Sequence, residues 1–160
     1  MKLIKSLVAL ATLASVAAQA NPQGISFAIP NGGGATVGTV FNRQADRELR
    51  VDIGLSLAKA GENADTVFGT SAEVGFRRYL AEAGKVKMYH QPGGFVSIKD
   101  FGEFSETLTL AALYSIGGEY VVTPNFTFGA SIGLIFSLSE EFKAFALKTG
   151  TSKVNATYYF

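Results

Sequence analysis

Residues 126–138 read Phe126-Thr127-Phe128-Gly129-Ala130-Ser131-Ile132-Gly133-Leu134-Ile135-Phe136-Ser137-Leu138. Every even position is apolar, and every odd position except Ile135 is Thr, Ser or Gly. A period of two held over this length is a β-strand with one apolar face. The stretch 47–57 repeats it: Leu49, Val51, Ile53, Leu55 and Leu57 alternate with Glu48, Arg50, Asp52, Gly54 and Ser56. Noisier copies follow. Phe68, Ala72, Val74 and Phe76 share one face opposite Glu73 and Arg77, and Leu108, Leu110, Ala112, Tyr114 and Ile116 share another opposite Ser115, Gly117 and Glu119. The chain ends on Val154, Ala156, Tyr158 and Phe160, alternating with Asn155, Thr157 and Tyr159, and Ile25, Phe27 and Ile29 alternate near its start.

Between these runs lie segments of turn chemistry, because Gly, Asn and Asp tolerate positive φ and Pro starts turns. They fall into two alternating sets. One comprises 42–46, 81–85 and 122–125; the other comprises 30–34, 61–65, 99–103 and 140–149. The alternation predicts eight antiparallel strands at about 25–29, 35–42, 47–58, 67–79, 86–98, 106–121, 126–139 and 151–160. The registers of 35–42 and 86–98 stay open, the latter because Pro92-Gly93-Gly94 interrupts it. An even strand number puts both chain ends on the same side.

The small and polar face decides which side is inside. A soluble sandwich or lipocalin turns its apolar face inward and covers the other with Lys, Glu and Asp. Here the second face is mostly Gly, Ser, Thr and Ala, which suits the cramped interior of a small barrel. The row of Leu, Ile, Val and Phe would be a large aggregating patch in water and needs no partner in hydrocarbon. Unpaired backbone groups are costly in lipid, so such a sheet must close on itself. The expected fold is all-β, an eight-stranded antiparallel up-and-down transmembrane β-barrel over residues 21–160.

Composition agrees. Charged residues make up 17% of the 160, against about 25% in ordinary soluble domains, and there are 18 Gly. Lys and Arg number 14 and Asp and Glu 13, so no basic excess argues for a nucleic-acid partner. The absence of Cys excludes disulfides, thiolate metal sites and a Cys nucleophile, and the single His, His90, excludes a multi-His metal centre. Residues 1–20 carry a basic opening (Lys2, Lys5), an apolar stretch from Leu7 to Ala18 and a small-x-small site at Ala18-Gln19-Ala20. This is the pattern of a cleaved secretory signal peptide, too short in its apolar part to span a membrane comfortably.

The closing Val154, Ala156, Tyr158 and Phe160 look like the C-terminal barrel-assembly signature of bacterial outer-membrane barrels. Residues 119–129 and 75–80 resemble the periplasmic hairpins of small eight-stranded members. Essentially the whole chain after residue 20 thus resembles the outer-membrane β-barrel domain family, akin to OmpX and the membrane domain of OmpA. The resemblance implies residence in the bacterial outer membrane, outer-membrane lipid and the barrel-assembly machinery as partners, and a monomer. It implies no cofactor, and it leaves activity open, because such barrels host unrelated functions.

The strand phases point Glu48, Asp52, Glu73 and Glu119 into the lumen with Arg50, Arg77, Lys87 and Lys153. Ionised groups in a narrow lumen must be paired. They form either an ion pathway or a salt-bridged plug. An eight-stranded interior is only wide enough for side chains to fill, which favours the structural plug. No catalytic, cofactor-binding or metal-binding residue is assigned. His90 shares the parity of Val86 and Met88 and should face lipid; a lipid A deacylase pattern would want Ser two residues on, where Pro92 stands. Phe41, Tyr79, Tyr120, Phe126, Tyr158 and Phe160 read as an aromatic girdle at the strand ends. Gly32-Gly33-Gly34 precedes no helix and reads as a hairpin rather than a phosphate cradle. The expected function is a small integral outer-membrane protein with a structural, interaction or minor pore role and a side-chain-filled lumen. Three alternatives remain: a lipid A-modifying enzyme in the same fold, an OmpW-like channel for small apolar solutes, and a soluble lipocalin-like carrier.

Overall fold

A computed structural model describes residues 21–31, 34–59, 66–100, 106–138 and 145–160. The expected signal peptide, the Gly32-Gly33 pair and residues 139–144 of the last outward connection lie outside them. Eight strands follow one another: β1 (Gly24–Pro30), β2 (Ala35–Phe41), β3 (Arg47–Lys59), β4 (Thr66–Ala83), β5 (Val86–Asp100), β6 (Glu106–Thr123), β7 (Phe126–Leu138) and β8 (Phe145–Tyr159). Each pairs antiparallel with its neighbour. Pairing of β1 with β8, from Gly24↔Tyr159 to Pro30↔Lys153, closes the barrel. Each of the eight strands thus has a hydrogen-bonded neighbour on both sides, as a sheet standing in hydrocarbon needs, although among the described residues the Phe145–Thr151 part of β8 has a ladder with β7 alone.

The apolar row points away from the axis. Ile132 is 58% exposed, and Leu55, Phe76, Ile116 and Phe128 stand out beside it. The buried residues are instead mainly polar: Glu48, Arg50, Asp52, Arg77, Gln91, Glu119, Asn155 and Thr157. This is the reverse of a soluble β-protein, and the reverse of the interior a lipocalin-like carrier needs. The Leu49–Val51–Ile53 and Phe128–Ile132–Leu134 rows form no shared centre.

Strand boundaries depart from the sequence reading by more than two residues at two places, and each of these departures has a local cause. The strand expected at 151 begins at Phe145. Gly133 pairs with Thr151 and Leu134 with Thr149, so Gly150, at φ 71°, is an extra residue in a bulge. The bulge resets the alternation: Leu147 above it and Val154 below it both face outward despite opposite parity, which hides the strand from a period-two search. The connection at 140–149 is therefore partly an extension of the last hairpin. On the other side, β4 runs on to Ala83 through a bulge at Leu80, between the Tyr79↔Tyr89 and Ala81↔Met88 pairs. It then turns at Gly84, whose φ of 61° suits a residue without Cβ. The Pro92-Gly93-Gly94 stretch does not break β5, which pairs with β6 without interruption from Val86 to Asp100.

Candidate functional site: the lumen

Alternation on eight strands sends one set of side chains to a common axis. Near the end of the barrel that carries the chain termini, Glu48 from β3 lies 3.0 Å from Arg50 Nε and 3.5 Å from Arg77 Nη1. Arg77 from β4 also pairs with Glu119 from β6. Tyrosines complete the carboxylates: Tyr79 donates to Glu119 at 2.8 Å and Tyr159 to Glu48 at 3.2 Å. Arg77 Nε donates to Gln91 Oε1 at 3.1 Å, and its guanidinium lies 3.7 Å from the centre of the Tyr89 ring. Arg50 reaches across to Thr157. All four charged members of this cluster are essentially inaccessible to solvent. They form a neutral set of two acids and two bases, so burial does not strand a net charge.

Further from the terminal end, Lys153 from β8 donates to Glu73 at 2.9 Å and lies 3.5 Å from Asp52. Ser26 donates to Asp52 at 3.2 Å, and Gln91 donates to Glu73 at 3.3 Å, linking the two clusters. Lys87 stands apart. Its ion pair is with Glu82 at 3.5 Å, both partly exposed at the terminal rim, and its ammonium lies 5.8 Å from the centre of the Tyr79 ring. Seven of the eight charges singled out from the sequence thus come together in the lumen and the eighth sits at its mouth. Gln91, Tyr79, Tyr89, Tyr159, Ser26 and Thr157 also belong to the network. All but Ser26, whose strand carries no charge, share strand parity with one of the charges singled out, and that signal would have found them. Of the residues expected in the aromatic girdle, Tyr79 turns inward to Glu119 as its parity dictates and Phe41 is buried, whereas Tyr120, Tyr158 and Phe160 project outward.

The buried cluster divides the lumen. On one side is a recess of about 230 Å³, lined by Asp52, Glu73, Lys153 and the hydroxyls of Ser26, Ser71 and Ser131, with Arg50 and Arg77 as its floor. On the other, a recess of about 650 Å³ opens at the terminal end against Tyr79, Lys87, Glu119 and Tyr159. His90 faces outward, its Nδ1 3.3 Å from the Tyr114 hydroxyl. Ser97, an odd position like the inward Gln91, lies on the other face of β5 from His90, and Glu103 lies outside the described residues. The described residues hold no group of three His, Cys, Asp or Glu side chains placed to bind a metal ion.

Three solved structures can be set beside this barrel. Neisserial surface protein A superposes with a TM-score of 0.57 at 17% identity, covering 86% of this chain and 95% of the other. The Yersinia pestis outer-membrane protein Ail, in a phospholipid nanodisc, gives 0.52 at 15% identity, over 88% of this chain and 100% of Ail. Its crystal structure gives 0.52 at 18% identity, over 87% and 97%. This chain shares the fold of those proteins. At such identities the likeness is one of fold alone. No protein-family model matches the chain, and no curated protein matches it.

Proposed function

We propose that the chain is a small integral protein of the bacterial outer membrane with a structural or interaction role, its lumen closed by the Glu48–Arg50–Arg77–Glu119 cluster. The observation that carries the reading is the inside-out distribution of side chains. A closed barrel with a paired polar interior and an apolar exterior is stable in hydrocarbon and would aggregate in water. The fold of the two comparison proteins supports the same location. Passage of even a small solute would have to displace ion pairs buried on all sides, which speaks against a constitutive pore. The separation of His90 from Ser97 by the thickness of the wall speaks against a Ser–His hydrolase and favours a non-catalytic role. Residues 1–20 serve as the export signal, the C-terminal Val154, Ala156, Tyr158 and Phe160 address the assembly machinery, and the finished barrel is a monomer with its termini toward the periplasm.

The test is membrane fractionation with gel mobility before and after boiling. The protein should sediment with outer membranes and, kept unboiled in SDS, migrate differently from the boiled chain. Recovery in the aqueous phase, with one mobility under both treatments, would overturn the reading.

A further inference from the structure

The outer wall over β3–β6 is not uniformly apolar. Arg47 on β3 is paired directly with Arg78 on β4, and Arg78 with His90 on β5, all on the outward face. Tyr114 on β6, opposite Pro92, completes the group through its hydroxyl contact with His90. Like charges directly opposed across a ladder repel. Arg47 has a hydrogen bond to Gln44 at 2.7 Å, and no acidic side chain among the described residues pairs with either arginine. Nor is this row beyond the apolar belt: Leu80, Val86 and Met88 are exposed on its terminal side and Phe76 on the other. Two arginines paired across the ladder beside outward apolar side chains, with no acid to balance them among the described residues, call for an anion from outside the chain.

The second observation lies on the same strands. Four residues along β5 from His90, about 13 Å at about 3.3 Å per residue, Gly94 opens an outward groove. Val74, Val96, Ala112 and Phe136 line it, and its volume is about 530 Å³. The fold does not require the missing side chain. A Cβ at Gly94 would meet only the Ala111 carbonyl oxygen at 3.6 Å, an ordinary contact.

We infer that this face binds one glycerophospholipid of the leaflet on the terminal side, with its phosphate on Arg78, Arg47 and the His90–Tyr114 pair and an acyl chain laid in the groove at Gly94. The polarity fits that leaflet: headgroup toward the terminal end, chain running toward mid-membrane. An imidazole whose Nδ1 faces the Tyr114 hydroxyl keeps Nε2 for the phosphate, and a guanidinium fork matches phosphate oxygens. The inference rests on the barrel standing in a membrane.

The test is native mass spectrometry of the full barrel, folded in non-ionic detergent and offered a phosphatidylglycerol with palmitoyl and oleoyl chains. Diacylglycerol with the same chains, inorganic phosphate and lipid A are offered in parallel. One phosphatidylglycerol should be retained per barrel, with none of the three others held comparably. Arg78→Gln should weaken retention by about tenfold through the headgroup, and Gly94→Leu should weaken it by filling the groove with the basic row intact. Because the two variants probe opposite ends, failure of one to fold leaves the other decisive; the boiled-against-unboiled mobility shift reports folding in each. Equal retention of phosphatidylglycerol and diacylglycerol, or indifference to both variants, overturns the site. Preference for lipid A overturns the assignment to a glycerophospholipid. A wild-type chain that shows no mobility shift instead brings down the membrane reading itself.

Discussion

Arg77 is the residue on which the lumen turns. It touches Glu48 and Glu119, donates to Gln91 and stacks on Tyr89, so it joins β3, β4, β5 and β6 through one side chain. Its removal leaves two buried carboxylates short of a counter-charge. We expect Arg77→Met to destabilise the barrel by about 3–5 kcal/mol in urea unfolding from lipid vesicles, and Arg77→Met with Glu119→Gln to recover much of that loss. Lys87→Ala removes a half-exposed pair and should change the same midpoint by less than about 1 kcal/mol. Gly38 makes a packing point at the same scale. It lies opposite Asp52, and a Cβ there would overlap the Asp52 carboxylate and crowd the Ser26 hydroxyl. Ala would ordinarily be favoured over Gly inside a strand, but here the overlap wins. Gly38→Ala should cost about 1–3 kcal/mol in the same titration, with Asp52 displaced from Ser26.

At the level of the strand, period two does most of the work. β3 and β7 are legible because the alternation runs unbroken along them, and β6 is legible as far as Val121, beyond which its register with β7 shifts. β8 is only half legible, because the Gly150 bulge switches its phase, and β4 runs past its expected end because the Leu80 bulge lies beyond the last clear alternation. A bulge adds one residue to one strand, which reverses every later assignment of inside and outside. The lipid-facing assignment of β7 has a direct test. Ile132→Lys places a charge on its most outward apolar position, and should cost about 2–4 kcal/mol of folding free energy into vesicles if Ile132 lies near the bilayer midplane. A soluble protein would show almost no change, because the site is already exposed.

The whole molecule sets what the lumen permits. Two recesses lie on opposite sides of a buried ion-pair cluster, so the two do not amount to a path. In planar bilayers the wild-type protein should give no discrete conductance steps. Replacing Glu48, Arg50, Arg77 and Glu119 together with Ala should produce them, in protein that still shows the mobility shift on boiling. Steps of equal size from the wild type would mean that the cluster opens readily and that a pore role outranks the structural one. Closure through β1 and β8 is also a property of this scale. It pairs residues from opposite ends of the chain, and Lys153 meets Glu73 and Asp52 only because it occurs.

The sequence by itself determined the number of strands, their order and, where the alternation is unbroken as in β3 and β7, which face turns to the axis, because these follow from local alternation and turn chemistry; the registers of 35–42 and 86–98 it left open. It therefore also determined which charges share the lumen. Only the tertiary structure decided their partners. Lys87 takes Glu82 at the rim rather than a lumen acid, Tyr79 completes Glu119 rather than an aromatic belt, and Arg47, Arg78 and His90 fall into one outward row. Partnership depends on the stagger between neighbouring strands and on bulges that shift it, and a period-two pattern repeats without fixing either.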